Sequence, residues 1–185
     1  DLEELLRKVL EELRKIVEDA RRENEKSLRE SEKIVREVEE LNKKVLEEVE
    51  KKIREVIEEK KEDKELVDEM RRVLKELEDR SRKLTDETRK KLKESEEKSR
   101  KLTEETKKVL EDLRRKLKEV ADRGESEETI KRIVDEIRKE AERLLRRHRK
   151  SVKEDKDLAK KIREDHKKSV EDIERTLEEL EKRAK

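Results

Sequence analysis

The sequence predicts an all-α protein, a straight and nearly untwisted three-helix bundle whose helices run up, down and up. Three observations support this fold class. Of the 185 residues, 62% are charged and 28% are hydrophobic, yet the formal net charge is only +1, a composition typical of long helices. Aromatic residues and Pro are absent and Gly occurs once, which argues against β-rich and α/β folds because these need turns and β-forming residues. Apolar residues also recur at helical spacing along three segments.

Two breaks in the apolar pattern separate the predicted helices. We expect three helices of about 60 residues, over about 2–60, 64–122 and 127–184, forming a single domain over 1–185. At the second break, Gly124 can take the left-handed conformation that ends a helix, and Ser126 can cap the next one. At the first break, Asp63 is a suitable N-cap.

Two other arrangements are less consistent with the pattern. A third loop at 154–158 is suggested because its charged residues resemble those of the first break. The apolar pattern continues through this stretch, however, and favours one unbroken helix. An isolated charged helix is disfavoured because such helices lack a sustained apolar stripe.

The pattern repeats every 18 residues, as Leu10, Leu28 and Leu46 illustrate in the first segment. Eighteen residues make five turns of a 3.6-residue helix, whereas a seven-residue repeat imposes a left-handed supercoil. The repeat therefore predicts straight helices joined by short loops.

Polar side chains interrupt the apolar stripe at related positions of all three segments. Folding the chain at its two breaks places them at shared heights. One layer comprises Asn24, Ser99, Thr103, His148 and Ser151. A second, with the same residue types, comprises Asn42, Ser81, Thr85, His166 and Ser169. Between them lie Ser27, Ser31, Ser95 and Asp155, and Thr88 and Thr106 also occupy the stripe.

The matched layers predict buried hydrogen-bond networks. A buried polar group without a partner costs about 1–3 kcal/mol, so such layers persist only when their members satisfy one another. Their benefit is specificity, because a slipped register would set Asn and His against Leu and Val. For Asp155 we consider two interpretations, an ion pair with Lys91 and two solvated side chains.

The charged surface, the Leu/Ile/Val stripe, the Gly124-Glu125-Ser126 loop and the polar layers together resemble computationally designed helical bundles with buried hydrogen-bond networks. The histidines are similar to those of designed bundles that respond to pH, although such designs are usually oligomers of helical hairpins. The resemblance implies a structural scaffold with no natural activity, no cofactor and no required partner. We expect a soluble monomer, with weak self-association as an alternative, from recombinant cytoplasmic expression.

Other functions find little support in the sequence. Balanced charge and missing aromatics argue against nucleic-acid binding, and no apolar run is long enough for a membrane span or targeting signal. His148, Ser151 and Asp155 share a helical face, but no Gly-rich turn supplies an oxyanion hole, so we expect no enzyme. His148 and His166 lie too far apart to share a metal ion. Two alternatives to the scaffold stay open. One is a module destabilised by protonation of the two histidines; the other is a helix-docking protein that uses the Leu10, Leu28 and Leu46 line.

Overall fold

A computed structural model describes residues 2–185 and contains three α-helices. They are α1 (Leu2–Glu59), α2 (Lys64–Asp122) and α3 (Glu127–Ala184). The helices pack against one another in a bundle, and residues 2–185 contain no strand. The prediction of an all-α three-helix bundle is therefore confirmed.

The helix ends follow from local chemistry at the two loops. The Asp63 carboxylate accepts a hydrogen bond from the Leu66 backbone N–H at 3.3 Å, which caps α2. Gly124 has a φ of +63°, the left-handed conformation that ends α2. The Ser126 hydroxyl then accepts from the Thr129 backbone N–H at 3.3 Å and caps α3. Residues 154–158 are helical throughout.

The described residues form two compact units, and each unit contains a segment of every helix. We call them unit 1, over 2–30 and 94–156, and unit 2, over 31–93 and 157–185. A single domain and straight helices stay predictions.

Unit 1 has its own hydrophobic core, contributed by apolar positions of all three helices. Its buried members are Leu6, Val9, Leu13, Leu113, Leu117, Val120, Ile130, Val134, Ile137 and Ala141. Within the unit α1 and α3 run parallel, because Arg138 lies 3.5 Å from Glu12 and later residues of both helices also meet. Helix α2 runs antiparallel to α3.

Unit 2 repeats this arrangement with a second core, whose buried members are Val49, Ile53, Met70, Leu77, Ile173, Leu177 and Leu180. Leu10 packs against the core of unit 1 and Leu46 against the core of unit 2, while Leu28 is half-buried. The proposed docking line is thus partly engaged by the protein's own cores. Within residues 2–185, none of the helices combines the length and apolarity needed to cross a bilayer.

Candidate functional site

In unit 1, His148 is almost fully buried, with 2% of its surface exposed. Its Nε2 lies 2.8 Å from the Thr106 hydroxyl oxygen. That hydroxyl donates to the Leu102 carbonyl at 2.7 Å, so it accepts from the ring and the proton of neutral His148 resides on Nε2. The ring's Nδ1 is then a buried lone pair, and it has no hydrogen-bond partner among the described residues.

In unit 2, His166 has an equivalent environment. Its exposed fraction is also 2%, and its Nε2 lies 3.0 Å from the hydroxyl of buried Thr88. Either group can donate in this bond, depending on the tautomer. The Nδ1 of His166 is buried and, within residues 2–185, lacks a hydrogen-bond partner. Each histidine therefore links α3 to a threonine of α2 and leaves one ring nitrogen unpaired.

The two asparagines connect different helix pairs. Asn42 donates from its Nδ2 to the Ser81 hydroxyl at 3.1 Å, joining α1 to α2. Ser151 donates to the Asn24 Oδ1 at 3.5 Å, joining α3 to α1, and this distance marks the weaker bond. One amide atom of each asparagine, the Nδ2 of Asn24 and the Oδ1 of Asn42, has no partner in the described part of the chain.

Asp155 is the buried carboxyl group of unit 1. Its carboxylate accepts a hydrogen bond from the half-buried Ser95 of α2. Burial raises the pKa of Asp155 above its ordinary value, although the Ser95 hydrogen bond opposes this rise. The Lys91–Asp155 ion pair stays a prediction.

The remaining predicted residues occupy positions on or beside the stripe. Ser27, Ser31 and Ser99 are buried. Thr85 and Ser169 are half-buried. Thr103 is half-buried as well, and its hydroxyl donates to the carbonyl of Ser99 on its own helix at 3.0 Å.

The histidine partners are Thr88 and Thr106, whose sequence positions predict a place on the stripe but outside the two layers. The expected partners, Thr85 and Thr103, lie one turn nearer the start of α2. The difference follows from burial: Thr88 and Thr106 are buried, whereas Thr85 and Thr103 are half-buried, so the buried histidine rings meet the buried hydroxyls.

The histidines differ in the charges around them. Burial lowers the pKa of His148, and the nearby Arg147 guanidinium lowers it further. Burial also lowers the pKa of His166, but the carboxylates of Glu39 and Asp165 oppose this effect. Both rings therefore favour the neutral form in the folded protein, and at His148 the charge of Arg147 acts in the same direction as burial.

The arrangement is suited to holding helices in register. His148, Ser151 and Asp155 each have a hydrogen-bond partner outside this trio, in Thr106, Asn24 and Ser95. Among residues 2–185, no three His, Asp or Glu side chains converge as a potential metal site. Comparison of the chain with protein-family models and with curated proteins finds no match.

Proposed function

We propose that the chain is a designed structural scaffold without natural catalytic activity, in which buried polar contacts select one helix register. The observation that carries this proposal is the set of three contacts between buried side chains of different helices. They are Thr106 with His148, Thr88 with His166, and Asn42 with Ser81. The 18-residue repeat of these residue types supports a designed origin.

The contacts favour one register because the alternatives leave polar atoms unpaired. A slip of His148 by one turn toward the end of α2 would move it from Thr106 to the level of Val109 and Leu110. Each stranded group would cost about 1–3 kcal/mol. Apolar layers such as Leu77 with Ile173 discriminate less between registers, since hydrophobic contact has no directional requirement.

Replacing a complete polar pair tests this role. In the double variant Thr88→Val with His166→Leu, no polar group of that pair is left unsatisfied, so we expect an unfolding free energy equal to or above that of the parent. If the pair selects the register, the variant should show additional sets of amide resonances in its ¹H–¹⁵N NMR spectrum. A matched control, Leu77→Ile with Ile173→Leu, retains the polar pair and should keep one set. A single set of unchanged resonances in the polar-pair variant would contradict the proposal.

The absence of catalytic and binding activity is part of the same proposal. We expect ester hydrolysis by the protein to be no faster than by the variant His148→Gln with His166→Gln. We also expect a monomer in sedimentation experiments, with no requirement for nucleic acid or another partner. A rate that falls in the histidine variant would instead indicate a reactive imidazole.

A second candidate function, a pH-responsive module, is favoured by the two buried histidines with lowered pKa. Because folding favours the neutral rings, their contribution to stability is complete above the ordinary His pKa of about 6.5. It is lost as the pH falls from there toward the lowered pKa values. The urea midpoint should therefore fall between pH 7.5 and pH 5, and it should fall less in the variant His148→Gln with His166→Gln. An equal change in both proteins would eliminate this function.

A further inference from the structure

We propose that a cleft between α1 and α2 of unit 1 binds a small oxyanion such as phosphate or sulfate. The cleft encloses about 390 Å³, a volume in the range of small-ligand pockets, roughly 300–1,000 Å³. This site goes beyond the scaffold role and does not depend on it.

The charge of the lining favours an anion. Four basic side chains line the cleft: Arg14, Arg21, Lys107 and Arg114. Glu18 is the acidic residue of the lining, which also includes His148. This local excess of positive charge contrasts with a whole-chain net charge of +1. Guanidinium groups suit oxyanions because they present several N–H donors in a planar fork.

Arg21 is a lining residue with a donor that lacks a partner. The residue is half-buried. One of its terminal nitrogens donates to Glu18 at 2.8 Å, and the other lies 4.0 Å from Glu25. Its Nε is buried and has no hydrogen-bond partner among residues 2–185. A rotation of the Arg21 side chain would turn this donor toward an oxyanion in the cleft.

His148 contributes the second unpaired group. Its Nε2 proton is used by Thr106, so the unpaired Nδ1 is an acceptor in the neutral ring and becomes a donor when protonated. The other charged groups near the ring are Arg14, Glu18 and Arg21 of α1, Lys107 and Arg114 of α2, and Arg147 of α3. Arg147 in turn pairs with Glu105 of α2 at 2.6 Å. Protonation of His148 adds positive charge to these surroundings, and a bound anion would offset it. Anion binding should therefore strengthen as His148 becomes protonated.

Unit 2 provides an internal comparison. Eighteen residues after Arg21 the chain carries Glu39, which accepts a hydrogen bond from Arg89 at 3.3 Å. Glu39 also lines a cleft of about 920 Å³ whose charged residues are Arg36, Glu39, Glu40, Lys43, Glu50, Glu78, Arg82, Asp86 and Arg89. Acidic residues outnumber basic ones there. The cleft of unit 1 therefore has the positive charge that an oxyanion requires, whereas the cleft of unit 2 does not.

The test is a titration of the full chain with inorganic phosphate at pH 6 and constant ionic strength. The ring ¹H–¹³C resonances of both histidines are followed by NMR. We expect a saturable shift of the His148 resonance with little change at His166. Sulfate, which carries constant charge in this pH range, should produce the same pattern. An unresponsive His148, or equal responses of the two rings, would overturn the proposal.

Two charge-reversal variants distinguish phosphate binding in this cleft from general electrostatic attraction to the protein. Arg21→Glu removes the unpaired donor and should weaken phosphate binding about tenfold or more, the effect of losing a charge-assisted hydrogen bond. Arg22→Glu makes the same change in net charge at an adjacent side chain that is 72% exposed and should retain the affinity. Glu already occupies the position equivalent to Arg21 in unit 2, and circular dichroism checks that both variants fold. Equal weakening by the two reversals would show that no site exists.

Discussion

At the scale of single residues, the hydrogen bond between Thr106 and His148 shows how one hydroxyl fixes a tautomer. Because the Thr106 hydroxyl donates to the Leu102 carbonyl, its oxygen accepts from the imidazole Nε2. The threonine therefore satisfies the ring proton while remaining bonded to its own helix. Removing the hydroxyl should strand a buried N–H without creating a large cavity.

Thr106→Val should lower the free energy of unfolding by about 1–3 kcal/mol, because the His148 Nε2–H loses its acceptor. The control is Thr103→Val, since the hydroxyl of half-buried Thr103 bonds only within its own helix in the structure. That change should stay within about 0.5 kcal/mol. Urea unfolding followed by circular dichroism at pH 7.5 measures both. Similar losses in the two variants would show that the histidine bond contributes nothing specific.

Asp155→Asn should stabilise the protein at pH 7. Because burial raises the Asp155 pKa, the folded state favours the protonated carboxyl. Its favourable contribution is present below the ordinary Asp pKa of about 3.9 and is lost as the pH rises through the folded value. An amide stays neutral and can still accept from Ser95, so the advantage of the variant should shrink as the pH falls to about 3.5. Asp157→Asn, at an exposed position, is the control. No gain at pH 7 relative to this control would contradict the expectation.

At the scale of helices and loops, the helix boundaries could be predicted from the sequence because capping residues act on nearby backbone groups. Asp63, Gly124 and Ser126 each act on backbone groups within three residues. The predicted first helix ended at residue 60, and the helix observed ends at Glu59. Side-chain partners across helices could be predicted less well, because heights inferred from the loops do not distinguish Thr88 from Thr85 or Thr106 from Thr103, which lie one turn apart on α2.

Ser126→Ala should lower the free energy of unfolding by about 1 kcal/mol, since the first turn of α3 loses the acceptor for the Thr129 N–H. Ser126→Asp keeps a capping oxygen and places negative charge at the positive end of the helix dipole. It should therefore retain most of the stability. Thermal and urea unfolding compare the three proteins. If the alanine and aspartate variants were equally destabilised, capping would not be the role of Ser126.

At the scale of the whole molecule, the 18-residue repeat gives two similar units with opposite charges around their histidines. Arg147 precedes His148, whereas Asp165 precedes His166 at the equivalent position. The repeat of the polar residues was visible in the sequence and predicted their burial. The opposite charges of these two preceding residues are also visible in the sequence. Their effect on the histidine pKa values, however, depends on which other side chains approach the rings. Glu39 of α1, for example, affects His166 only because the helices pack in this register.

The two histidines should consequently titrate in a fixed order. Desolvation lowers both pKa values, Arg147 adds to the effect at His148, and Glu39 and Asp165 counteract it at His166. As the pH falls from 7.5, His166 should protonate first and His148 second, both below pH 6.5. The ring resonances in ¹H–¹³C NMR spectra report each ring separately. Arg147→Asp should raise the pKa of His148 toward that of His166, whereas the same change at Arg149, an exposed residue, should move it less. If His148 protonated before His166, the difference in desolvation between the two rings would have a larger effect on their pKa values than the nearby charges have.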